Sequence, residues 1–125
     1  LLAHTMAGLL DSRRSLGTPP TLFAPFSADA YRGPALSQFY RRQVAGKKVL
    51  LVDDVRNTGQ TLARCATIAR SAGGVVIATA EIYDRMEAVA ETGAPNFALA
   101  EYKAPDNYAA DACPLCKAGV PVTTF

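Results

Sequence analysis

At 125 residues and a net charge of +2, the chain has room for one domain and too little for two of ordinary size. Half of its residues are hydrophobic and 19% are charged, which excludes a disordered tail or a coiled coil. Seven basic and two acidic side chains fall in residues 1–50, against six basic and nine acidic in 51–125. The basic residues are scattered rather than clustered, so a small anionic ligand is favoured over nucleic acid. No apolar stretch approaches the roughly 20 residues that a bilayer span requires. Residues 1–10 are interrupted by His4, Thr5 and Gly8 and lack a basic lead-in, so they do not read as a signal peptide. Three cysteines give no disulfide framework, and the expected compartment is the cytoplasm.

In chain order, Leu2, Met6 and Leu10 recur at helical spacing beside Ala3 and Ala7, predicting a helix to about Arg14. The chain opens without Met and no capping residue precedes this helix, so the expectation is a domain whose N-terminal part is not included. Gly17, Pro19 and Pro20 break the helix. Residues 21–26 read as a short strand, 27–37 as a mobile loop around Gly33 and Pro34, and 38–44 as a second short strand. A turn at Ala45-Gly46-Lys47 follows. Val49-Leu50-Leu51-Val52 is an uninterrupted apolar run of the kind found in buried parallel strands, ended by Asp53 and Asp54. Residues 61–71 form an amphipathic helix with Leu62, Cys65, Ile68 and Ala69 on one side, stopped by Gly73-Gly74. A strand at 75–82, a short helix at 86–91 and a strand at 97–102 complete the pattern. Alternating strands and helices predict an α/β fold, a parallel β-sheet flanked by helices with right-handed crossovers. The division expected is a core at 1–103 and an irregular tail at 104–125 that carries Cys113 and Cys116.

The informative segment is Asp53-Asp54-Val55-Arg56-Asn57-Thr58-Gly59-Gln60-Thr61. An apolar strand delivers two carboxylates to its C-terminal edge, where open α/β sheets bind ligands. A loop with Gly59 leads straight into a helix whose first backbone N–H groups are unpaired and suit a phosphate. The Thr58 and Thr61 hydroxyls can add hydrogen bonds, and Asp53 and Asp54 can accept from two neighbouring hydroxyls. A vicinal diol beside a phosphate describes a ribose 5-phosphate. A bare Asp-Asp also ends strands in receiver domains and metal-dependent phosphatases, and Thr61 alone could be an N-cap; the whole string favours sugar-phosphate binding.

This string resembles the phosphoribosyl-pyrophosphate (PRPP) binding motif of type I phosphoribosyltransferases, with Asp53, Asp54, Thr58, Gly59 and Thr61 matching position by position. The resemblance implies a Rossmann-like fold of that type, N-terminally incomplete, whose acids hold the ribose hydroxyls and whose loop wraps the 5-phosphate, with the backbone N–H groups of Asn57 and Gln60 serving as well. Asp84-Arg85-Met86-Glu87 after the next strand narrows the resemblance to orotate phosphoribosyltransferases, whose Asp-Arg-x-Glu arginine binds the pyrimidine. Arg85 offers a planar fork of donors that suits the oxygens of orotate. An Asp84–Arg85 surface pair, or a pair between Arg85 and Glu81, is the plainer alternative.

The resemblance implies displacement of pyrophosphate from C1 of PRPP by a pyrimidine nitrogen, giving orotidine 5-phosphate. It also implies Mg²⁺ held mainly through PRPP, a homodimer, and a basic loop that closes over the leaving group. The matching stretch here, residues 23–43, has no lysine, and Pro25-Phe26 falls where a basic pair is expected. Arg32 is the candidate closing cation and is assigned, with Asp53 and Asp54, to catalysis; Arg41 and Arg42 fit a solvated strand edge. Such a lysine-free loop also fits a module that senses PRPP without turnover, and a transferase for another base is a third reading. If the preceding part of the domain is absent, poor activity is expected. Cys113 and Cys116 have the spacing of half a zinc site or of a redox pair, but two free thiols in a tight turn are the expected state, and no metal is assigned to the protein itself.

Overall fold

Lys48–Arg56 and Val75–Asp84 pair in parallel as β3 and β4, and Asn96–Glu101 (β5) joins β4 in parallel, giving the order β3-β4-β5. The computed structural model describes residues 1–29, 33–87, 90–103, 108 and 111–121. Before the sheet come α1 (Leu2–Ser12), an antiparallel hairpin of β1 (Ser27–Asp29) and β2 (Gly33–Ala35), and α2 (Gln38–Val44). The helix α3 (Gln60–Ser71) connects β3 to β4, and a one-turn α4 (Pro114–Lys117) lies in the tail. The parallel sheet flanked by helices is the α/β architecture expected. No helix among the described residues is long and apolar enough to cross a membrane.

One face of the sheet is covered by α3. Leu51 packs with Leu62, Cys65 and Ala66, and a second cluster joins Leu36, Val44 and Ala69. Phe26, Val49 and Val76 touch both clusters and make them continuous. Gly74 allows the closest approach, since a Cβ there would lie 2.6 Å from Val44 Cγ1 and 3.1 Å from the Ala69 carbonyl oxygen. On the opposite face, Leu50, Ile82, Phe97 and Leu99 are all more than a third exposed, although α1 packs against β3.

Several local expectations are corrected. The strand expected at 21–26 does not form, because the Thr21 N–H and hydroxyl both donate to the Asp11 carboxylate instead of entering a ladder. The Thr21 hydroxyl, with its N–H, holds Asp11 below the ordinary carboxylate range. Phe23 stacks edge-on against His4 at 5.1 Å, so this irregular segment is pinned across α1. The expected mobile loop at 27–37 contains β1 and β2. Residues 38–44 form a helix rather than a strand: Ser37 caps it by accepting from the Tyr40 N–H, and Tyr40 and Val44, four apart, both pack into the core. The helix expected at 86–91 is not seen among its described residues, where Met86 adopts φ 56°. β3 also continues past Asp53 and Asp54 to Arg56, because Arg56 remains in register with Asp84.

Candidate functional site

The β3–α3 turn builds a pocket of about 210 Å³ lined by Asp53, residues 55–62 and Arg64. Gly59 makes it possible. Its φ of 73° lies in the left-handed region that L side chains avoid, and it serves as the N-cap of α3 with no side-chain cap. The first helical bond runs from the Ala63 N–H to the Gly59 carbonyl, at 2.9 Å. The N–H groups of Gln60, Thr61 and Leu62 therefore precede the hydrogen-bonded ladder and face an opening suited to an anion. The N-cap is thus Gly59, and Thr61 lies one residue inside the helix.

Asp53 and Asp54 lie on opposite faces of β3, three and two residues before its end. Each carboxylate accepts from the next backbone N–H, Asp54 N–H to Asp53 Oδ1 at 3.0 Å and Val55 N–H to Asp54 Oδ1 at 2.8 Å. Asp53 lines the pocket; Asp54 is exposed and does not. Burial pushes the Asp53 carboxyl above its ordinary value, and the neighbouring Asp54 charge adds to the rise. On α3, burial beside Asp53 pushes the Cys65 thiol up to about 11, which makes it a core residue rather than a nucleophile.

The exit of β4 is tied to this loop at several points. The Arg85 N–H donates to the Arg56 carbonyl at 2.9 Å, the Ala90 N–H donates to the Thr58 carbonyl at 2.7 Å, and Arg85 Nη1 donates to Asn57 Oδ1 at 3.1 Å. Arg85 Nη2 pairs with Glu87 at 3.1 Å, while Asp84 pairs with Arg56 at 3.0 Å; neither of the two surface pairs considered for Arg85 forms. Arg85 therefore stands at the rim of the loop with both guanidinium ends engaged.

Of the cations ahead of the motif, Arg32 lies outside the described residues. Arg41 and Arg42 belong to α2 rather than to a strand edge. Arg41 braces the fold by donating to the Leu36 carbonyl at 3.2 Å and to Ser71 Oγ at 3.4 Å. Arg64 lines the pocket and was missed in the sequence. Its signal is spacing: on α3 it lies four residues after Gln60 and three after Thr61, on the turn above the loop. Among the described residues no group of three His, Cys, Asp or Glu side chains is placed to hold a metal ion.

A family model described as the phosphoribosyl transferase domain matches residues 26–114. The chain is similar to the orotate phosphoribosyltransferase of Thermus thermophilus, 38% identical over 77 residues, or 62% of this chain and 42% of the relative. It is also similar to the orotate phosphoribosyltransferases of Caulobacter vibrioides, 40% identical over 77 residues (62% and 39%), and of Caldanaerobacter subterraneus subsp. tengcongensis, 35% identical over 77 residues (62% and 40%). The matched segment spans about two-fifths of the length of these curated relatives. No solved structure gives a significant match.

Proposed function

The chain belongs to the phosphoribosyl transferase domain family, and on that premise we propose that it carries the PRPP site of an orotate phosphoribosyltransferase. The reaction is transfer of the 5-phosphoribosyl group to orotate, with release of pyrophosphate and formation of orotidine 5-phosphate. The observation that carries this reading is the pocket at the end of β3, where Asp53, the loop around Gly59, the start of α3 and Arg64 line one space of about 210 Å³.

The 5-phosphate sits against the N–H groups of residues 57–61 and the Thr58 and Thr61 hydroxyls. Asp53, which lines the pocket, accepts from the ribose hydroxyls and favours the ribose as positive charge develops at C1, whereas Asp54 stands on the other face of β3, outside the pocket. Burial suits Asp53 to this, because a partly desolvated carboxylate interacts more strongly with a nearby cation than a hydrated one does. Arg85 presents its fork to the orotate carboxylate, exchanging Asn57 or Glu87 for the base. Arg32 closes over the leaving pyrophosphate. Fixing base and sugar in line supplies the orientation term. Asp53, the carboxylate that lines the pocket, fits a Mg²⁺ held mainly by substrate oxygens and water, and the ion would neutralise charge on pyrophosphate when bound. A cytoplasmic homodimer belongs to the same reading.

The test is pyrophosphate release by the full-length protein supplied with PRPP, Mg²⁺ and orotate, with orotidine 5-phosphate as the expected product. Binding of PRPP without turnover would favour the sensing module instead, a reading supported by the engagement of Arg41 within the fold. Turnover with a different base alone would reassign the acceptor.

A further inference from the structure

The tail segment holds two cysteines that the proposed transferase chemistry does not use. Cys113 and Cys116 flank Pro114 and Leu115 in α4, and the Lys117 N–H donates to the Cys113 carbonyl at 3.0 Å, so one helical turn encloses both cysteines. Positions three apart on a helical turn have Cα atoms about 5 Å apart, inside the Cα range of disulfides. Both are free thiols; Cys113 is half-buried and Cys116 exposed. The third cysteine, Cys65, is buried on α3 in the Leu51 cluster and stays apart from them.

We propose that Cys113 and Cys116 form a reversible dithiol/disulfide couple, a modification site whose co-reactant is a low-molecular-weight disulfide. Cys113 is the attacking residue. The Cys116 backbone N–H beside its sulfur holds the Cys113 thiol below the ordinary thiol value, with the Cys116 thiol and the Leu115 N–H adding to this. The Cys113 thiolate attacks one sulfur of the small disulfide; that S–S bond breaks and one small thiolate leaves. Cys116 then gives up its proton to solvent and attacks the Cys113 sulfur, and the second small thiolate leaves. The protein loses two electrons, the small disulfide gains them, and the two departing thiolates take up the two protons. The metal alternative is less well supported, because no third or fourth ligand accompanies the pair among the described residues. The couple is independent of the proposed transferase activity and stands or falls without it.

The experiment equilibrates the full-length protein with defined mixtures of reduced and oxidised glutathione, followed by alkylation and mass measurement. The expected result is loss of two thiols together, without added glutathione mass, following the square of the reduced glutathione concentration. Cys116→Ser should stop at a stable glutathione adduct on Cys113, and Cys113→Ser should react more slowly at the remaining thiol. Accumulation of a mixed disulfide in the unsubstituted protein, or thiols that do not react in the native protein, overturns the proposal. So does zinc retained at one ion per two chains with both thiols blocked, which would assign the pair to a site shared between copies.

Discussion

Arg85 Nη1 donates to Asn57 Oδ1 across 3.1 Å, joining the residue assigned to the base with the loop assigned to the phosphate. A single exposed hydrogen bond contributes about 0.5–1.5 kcal/mol, so Arg85→Ala should lower PRPP affinity by no more than about tenfold. Loss of a charge-assisted fork to the orotate carboxylate has a larger effect, and orotate-dependent turnover should fall at least about a hundredfold. Steady-state kinetics beside calorimetric PRPP titration separates the two. Equal losses in both would make Arg85 a support for the loop.

Arg56 and Asp84 form the ion pair beneath that contact, with side chains 14% and 11% exposed. Asp84 also accepts the Met86 N–H at 2.9 Å. Asp84→Ala strands a mostly buried guanidinium whose Nε already has no partner, and should cost about 2–4 kcal/mol in urea unfolding. Asp84→Asn, which keeps an acceptor, should cost less.

Two glycines separate binding from stability. Gly59→Ala places an L side chain at φ 73°, a conformation that costs about 1–2 kcal/mol, and the strain falls on the phosphate loop itself. PRPP affinity should drop with stability. Gly74→Ala overpacks the core against Val44 and Ala69, and should cost about 1–3 kcal/mol in stability while leaving PRPP affinity of the folded protein unchanged. Thermal melts with and without PRPP distinguish them.

Asp53 carries a pH signature. Burial raises its carboxyl value in the folded state, so the folded protein keeps that proton over a range in which the unfolded chain has lost it. Stability from this group is present at low pH and is lost as pH rises from the ordinary carboxylate value through the raised one. Asp53→Asn should therefore melt higher than the parent near neutral pH, with the gap narrowing on acidification, and should bind PRPP more weakly. Melting temperatures of both proteins across acid to neutral pH check this; a gap independent of pH would trace to packing instead.

The β3–loop–α3 unit was legible because each signal is local: an apolar run, two acids, a glycine and an amphipathic repeat. What escaped depends on partners distant in sequence. Nothing near Thr21 announces that Asp11 captures its N–H, and Gly33-Pro34-Ala35 has no strand propensity until Ser27–Asp29 pairs with it. In α2, the mixed polar and aromatic order of Gln38–Val44 hid the Ser37 cap and the Tyr40–Val44 spacing, both of which were readable. The Arg56–Asp84 pair and the place of Arg64 above the loop required strand register and helix phase to be known first.

The hydrogen bond from the Ala90 N–H to the Thr58 carbonyl, at 2.7 Å, makes one peptide group answer to two neighbours. An anion that reorients the Thr58–Gly59 peptide would act on this bond to Ala90. Were occupancy of one half to change affinity at the other through it, thermodynamic reciprocity would make the two changes equal. On the proposed reading the protein would thus recognise its two substrates as a linked pair, with each one's arrival written into the welcome given to the next.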